Sequence, residues 1–285
     1  MLEVTNLLRI TMLLENHMSE HKSLRAEHGL SMYIEYNSKK ILFDFGASDA
    51  IQANAQKLGI NLCEVDCAVC SHAHYDHAAG LQFLLNSGIV PPRLIIGDGF
   101  WNKKFAYDGI KYTYLGAGYD SVALEHFNLK CDVLSEDMEK LYPGCYIFTN
   151  FNRIYDFEKI PERFVIESNE GIFKRDAFVD EIALVFDTHK GLVVLVGCSH
   201  PGILNMLSTI IKRLNRKIYA VIGGSHLLEA DVERINISID VMKRMGIEIT
   251  AFSHCSGELV NQLLEVHPEI KNTHLSTGDV LIIEN

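Results

Sequence analysis

Four residues able to bind a cation, His72, His74, Asp76 and His77, crowd into the run SHAHYDH at 71–77. In an extended segment, residues two apart face the same side, so His72 and His74 can grip one ion together. The chain then enters a helical pattern, DHAAGLQFLLNSG, and Asp76 and His77 point from that turn toward a second position. Imidazole nitrogens and a carboxylate oxygen suit zinc, iron or manganese. Two such ions side by side activate a water as hydroxide and polarise an ester or phosphoryl oxygen. Just upstream, Cys63-x3-Cys67-x2-Cys70 has the spacing of an iron–sulfur cysteine triplet. A cluster needs a flexible loop, whereas Cys67 and Cys70 lie in DCAVC, a buried-strand pattern in which residues three apart face opposite sides. These thiols read as small apolar side chains.

The elements that must position this chemistry are legible. Apolar runs end in a Ser-His pair four times: CAVC before Ser71-His72, LVVLVGC before Ser199-His200, YAVIGG before Ser225-His226 and ITAF before Ser253-His254. Strand ends of α/β folds form one rim, where sites assemble. RITMLL, LSMYIEY and KKILFDF read as strands, the last two joined at Asn37-Ser38. SDAIQANAQKLG reads as a helix capped by Ser48 and stopped at Gly59. After residue 180, strand and helix alternate, with Pro201 at the start of the helix PGILNMLSTIIKRLNR. Two sheets with outer helices fit this rhythm better than one doubly wound sheet. Residues from about 98 to 175 show weak periodicity and mix aromatics with basic residues, which suggests an inserted, substrate-covering region in one domain spanning 1–285. There, Trp101, Lys103, Lys104, Tyr107, Lys111, Tyr112 and Tyr114 offer flat faces for a ring and charges for a phosphate.

The 285 residues are 48% hydrophobic with a net charge of −11, enough for a large core and unfavourable for nucleic acid or an anionic membrane. Seven unpatterned cysteines, and Glu3 and Arg9 within the first apolar stretch, argue against secretion and for the cytoplasm. No uncharged apolar run reaches membrane-spanning length. A small-molecule substrate and possible self-association are the expected partnerships.

The SHAHYDH run resembles the HxHxDH signature of the metallo-β-lactamase superfamily. EHGLS (27–31), DEIAL (180–184), GCSHPGI (197–203), GGSHL (223–227) and HCSG (254–257) resemble a subgroup, the dihydropterin-ribofuranosylaminobenzene-phosphate synthase-like proteins. The resemblance implies a four-layer αββα sandwich with a mid-chain insertion. It also implies two divalent metal ions, zinc first, iron or manganese otherwise. Asp44 resembles the aspartate that orients the ligand loop, and His254 the last histidine of the second metal. His226 occupies a position where relatives keep an acid/base residue, and Asp76 is the other catalytic candidate. The pattern departs at the third histidine of the first metal. His200, the thiolate of Cys198, or a carboxylate of Asp180 or Glu181 are the alternatives, with His200 preferred. The expected activity is hydrolysis of a phosphoester, lactone or pterin-type substrate. A pterin-linked synthase, a di-iron redox protein and a non-catalytic metal binder are the other readings.

Overall fold

In a computed structural model of the chain, residues 7–168 and 171–284 are described. Glu3, used above to argue against a secretion signal, lies outside them. β1 (Leu7–Leu14), β2 (Ser31–Tyr36) and β3 (Lys39–Phe43) lead to α1 (Ala50–Lys57), β4 (Cys67–Val69), α2 (Tyr75–Ala78), α3 (Gly80–Asn86) and β5 (Leu94–Gly97). The middle of the chain supplies β6 (Lys103–Tyr107), β7 (Tyr112–Tyr114), α4 (Ser121–Glu125), β8 (Cys131–Leu134), β9 (Met138–Tyr142), β10 (Cys145–Phe148), β11 (Phe164–Glu167) and β12 (Phe173–Arg175). Then follow β13 (Ala183–Thr188), β14 (Gly191–Val196), α5 (Ile203–Leu214), β15 (Ile218–Gly223), α6 (Val232–Arg244), β16 (Ile249–Phe252), α7 (Glu258–Leu264), β17 (Lys271–Thr273) and β18 (Val280–Glu284).

The chain divides into two compact units. The first comprises Met1–Leu134, Glu162–Asp176 and Ser276–Asn285, the second Ser135–Pro161 and Ala177–Leu275. The first holds a seven-stranded sheet in the order β18-β1-β2-β3-β4-β5-β8. The pairs from β18 to β3 are antiparallel and those from β3 to β8 parallel. The second unit repeats the scheme with β9-β10-β13-β14-β15-β16-β17, antiparallel as far as β14 and parallel beyond it. β3 and β14 therefore hold equivalent places. The Asn37-Ser38 turn between β2 and β3 has positive φ at both residues, 48° and 62°, the twist that a two-residue hairpin demands.

Each sheet buries one face under its own helices. In the first unit, Ile51 and Ala55 of α1 and Leu81, Leu84 and Leu85 of α3 share a core with Leu42, Ala68, Leu94 and Ile96. In the second, α5 places Ile203, Met206, Leu207 and Ile210 on one stripe against Val194, Val196 and Val221, the spacing of an amphipathic helix. Asn215, in the left-handed region at φ 49°, ends α5. No helix among the described residues is long and apolar enough to cross a membrane.

Two details differ from the sequence reading. α1 starts at Ala50 with Asp49 as N-cap. The Ser48 hydroxyl accepts from Ala50 N–H at 3.1 Å and donates to Glu27, so it braces the preceding turn. Residues 98–175, read as one insertion, are shared among three sheets. β8 extends the first sheet, β9 and β10 the second, and β12-β11-β6-β7 form a four-stranded sheet of the first unit. β6, β7, β11 and β12 are short and half-exposed, and two of them pair across more than fifty intervening residues, so periodicity gave little sign of them.

The loop that carries Asp44 is clamped by backbone. Gly80 N–H donates to Gly46 O at 2.9 Å, and a Cβ at Gly80 would lie 1.8 Å from Phe45 O. Gly80→Ala is expected to destabilise the chain by about 3 kcal/mol, read as a lower urea unfolding midpoint. α5 is capped from a distance, by Glu158. Its carboxylate accepts from Leu204 N–H at 2.9 Å and Asn205 N–H at 2.8 Å, while Gly202, at φ 101°, leaves room where a Cβ would meet it at 2.3 Å. Burial pushes the Glu158 carboxyl up from 4.5 to about 6, against the two backbone hydrogen bonds. The folded chain thus holds this proton where the unfolded chain has released it. The stability gained at this residue is full below pH 4.5 and lost as pH rises through about 6. Glu158→Ala is expected to cost about 1–2 kcal/mol at the acid end, with the gap to the parent chain narrowing above about pH 6, in urea titrations at both pH values.

Candidate metal centre

In the first unit, β4 ends at Val69 and the chain turns sharply through Ser71-His72 into α2. Asp44, fully buried and at φ 61°, organises the turn. Its carboxylate accepts Ser71 N–H at 2.6 Å, Ser71 Oγ–H at 2.8 Å and His77 Nδ1 at 2.7 Å. Chemistry then dictates the protons. An ionised carboxylate only accepts, so His77 carries its proton on Nδ1 and presents the lone pair of Nε2. The Ser71 hydroxyl gives its single proton to Asp44, so its oxygen accepts from His72 Nδ1, 3.0 Å away, and His72 also presents Nε2. His72 Nε2 lies 3.2 Å from His74 Nδ1. Two nitrogens on a tetrahedral zinc, each at about 2.0–2.1 Å, sit about 3.4 Å apart. Burial, with the neighbouring His77 and His74, holds His72 well below the usual histidine range, so its ring is neutral, the form that binds a metal.

Asp76 is the acidic member. Its Oδ2 lies 3.1 Å from His28 Nε2 and 3.8 Å from His77 Nε2. The main chain is fixed at the same point, since Leu30 N–H donates to Asp76 O and Phe45 N–H to His77 O, at 3.1 and 2.7 Å. His28, within the EHGLS run, is a direct neighbour of Asp76. The His74 ring packs on Phe164 at 5.3 Å. Cys67 and Cys70 are fully buried, Cys63 is exposed, and Cys70 Sγ donates to His72 O at 3.3 Å, which is packing geometry.

The second unit gathers the other candidates at the ends of β14, β15 and β16. Glu181 Oε1 accepts Ser199 N–H at 2.9 Å, as Asp44 does for Ser71, and Ser199 also sits at φ 61°. Its hydroxyl donates to Gly224 O at 2.7 Å. The His200 ring stacks on Phe178 at 3.8 Å and lies 4.4 Å from the His226 ring. His226 and His254 have φ of 51° and 53°. Left-handed backbone at non-glycine residues costs about 1–3 kcal/mol each and gathers at functional sites. The donor atoms of Cys198, His254 and Cys255 all lie within 4.8 Å of one another. Asp180 is fully buried. Sequence reading missed Phe178 and Cys255, and saw Glu181 only as a possible ligand, not as a brace. The HCSG run held the one available signal, a thiol directly after a site histidine.

Several residues expected to cover a substrate have partners within the chain. Lys104 is buried in an ion pair with Asp176 at 2.7 Å. Trp101 packs edge-on to Phe100 and Tyr119. Tyr107, Tyr112 and Phe173 stack on one another.

Residues 24–198 match the family model described as the metallo-beta-lactamase superfamily. The chain belongs to that superfamily. A member from Methanocaldococcus jannaschii, named 7,8-dihydropterin-6-methyl-4-(beta-D-ribofuranosyl)-aminobenzene-5'-phosphate synthase, is 33% identical over 261 residues, covering 88% of each chain. The crystal structure of Tm1679, described as a metal-dependent hydrolase of the beta-lactamase superfamily, superposes with a TM-score of 0.85 at 29% identity over 98% of this chain and 100% of that one. A diphosphatase of the PhnP family, 15% identical with a TM-score of 0.55 over 98% of each chain, shares the fold alone. The metallo-β-lactamase fold expected from SHAHYDH is therefore the fold of this chain.

Asp44 has a measurable role in this superfamily member. Asp44→Ala is expected to destabilise the chain by about 3–5 kcal/mol in urea unfolding, because it leaves buried donors unsatisfied. Asp44→Asn keeps the shape and loses the charge that fixes both imidazoles. Its metal affinity, measured by chelator competition, is expected to fall about 10–100-fold.

Proposed function

We propose that this chain is a metal-dependent, hydrolase-like enzyme acting on a small phosphoester, lactone or pterin-type substrate. It would use two divalent ions, zinc first and iron or manganese otherwise, the candidate ligands being His72, His74, Asp76 and His77 of the first unit and His200 and His254 of the second. The observation that carries the reading is the proton inventory around Asp44. The Nδ1 protons of His72 and His77 are committed to Ser71 and Asp44, so Nε2 is the nitrogen that each ring would offer a cation. For the third histidine, His200 is preferred to Cys198 or Asp180, because its ring is already fixed by Phe178.

When bound, such ions supply Lewis acidity and lower the pKa of water. The chain's own residues supply the rest. Asp76, contacted by His28, orients and holds a proton, and His226 beside His200 is placed to deliver one to a leaving group. Seven free cysteines suit a reducing, cytoplasmic setting, and the net charge of −11 disfavours polyanionic partners.

A second reading has its own support, the 33% identity to a relative named as a synthase. There the same residues would help to join a pterin to a ribosylated aminobenzene phosphate. Metal analysis with parallel assays separates the two. Two zinc or manganese ions with phosphodiester or lactone turnover, reduced at least about 1,000-fold in His72→Ala and Asp76→Ala, is the expected result. Condensation without hydrolysis selects the synthase. Two irons with oxygen consumption, or bound metal with no turnover of any kind, sinks both.

A further inference from the structure

The second unit contains a donor set that the HxHxDH pattern does not describe. Cys198 lies just beyond β14, and His254 and Cys255 just beyond β16, with β15 between these strands in the sheet. Their sulfur and nitrogen atoms nevertheless come within 4.8 Å of one another. Gly224, directly after β15, makes that possible. A Cβ there would fall 2.5 Å from Cys255 Sγ and 3.3 Å from Cys198 Cα. With no side chain on the intervening strand end, Cys255 Sγ reaches over it and donates to Cys198 O at 3.5 Å. Both side chains are reduced thiols and nearly buried, at 4% and 8% exposure. The left-handed turn at His254 lets its ring and the next residue's sulfur serve one point.

We propose that Cys198, His254 and Cys255 form a two-thiolate, one-imidazole site for a borderline or soft cation such as Zn²⁺, Co²⁺ or Cd²⁺. The proposal shares with the functional reading above only the assignment of His254 to metal. Two thiolates and an imidazole are a zinc-type set that discriminates against Mg²⁺ and Ca²⁺. Buried cysteines are usually packing, as at Cys67 and Cys70. Here two sulfurs and a histidine converge, and a glycine clears the space between them. Binding removes both thiol protons, so it strengthens as pH rises.

Metal-free full-length protein, kept reduced, is titrated with Co²⁺ and followed through the near-ultraviolet sulfur-to-cobalt charge-transfer band. The band is expected in the parent chain and in His72→Ala, and is expected to drop about twofold in Cys255→Ser, since one of two thiolates is gone. A second measurement needs no variant: alkylation with iodoacetamide, mapped by mass spectrometry, with and without Zn²⁺. Zinc is expected to protect Cys198 and Cys255 at least about tenfold while Cys63 stays reactive. A band that Cys255→Ser leaves unchanged, or equal labelling of Cys255 with and without zinc, overturns the proposal. A band without ester turnover in any assay leaves this site standing and removes the hydrolase reading.

Discussion

The site depends on how a strand end is held while its next side chain does chemistry. All four Ser-His pairs are built alike: the serine N–H is tied to a fixed acceptor, and the histidine follows. Ser71 N–H goes to Asp44, Ser199 N–H to Glu181, Ser225 N–H to Ser256 Oγ and Ser253 N–H to Gly223 O. A serine is small enough to be fully or nearly buried at the turn, as all four are. Each histidine then leaves a rigid point, which is what precise ligand placement requires. Asp44 and Glu181 play matching parts, and each braces the turn at an equivalent end of its sheet.

Backbone strain follows the same map. Asp44, Ser199, His226 and His254 are held at positive φ by the hydrogen bonds and packing around them. Such conformations persist only where surroundings over-determine them, and at Asp44 the over-determination comes from one carboxylate that contacts Ser71 N–H, the Ser71 hydroxyl and His77 Nδ1.

Much of this was legible in residue types. The apolar runs ending in Ser-His located the strand ends, since a buried strand must stop where polar chemistry begins. SHAHYDH gave the ligand pair and the turn, and with the later motifs it gave the superfamily. Other features left little trace. β9 is an edge strand with mixed exposure, β10 is short, and β6 and β11 pair across a long stretch of chain. Lys104 was read as a charge for a phosphate because nothing local announces Asp176 as its partner. Cys255 gained meaning only once Gly224 was seen to leave a gap, a fact about a strand it is not part of.

The pairing of β1 with β18 has a consequence for how the protein is made. Thr11 to Leu7 find their partners in Val280 to Glu284. The first sheet therefore keeps the β1 edge open during synthesis until β18 has emerged. An open edge invites pairing with another chain. β1 is rich in aliphatic residues, so an intermediate that lacks β18 presents an apolar strand edge on which misassembly can start.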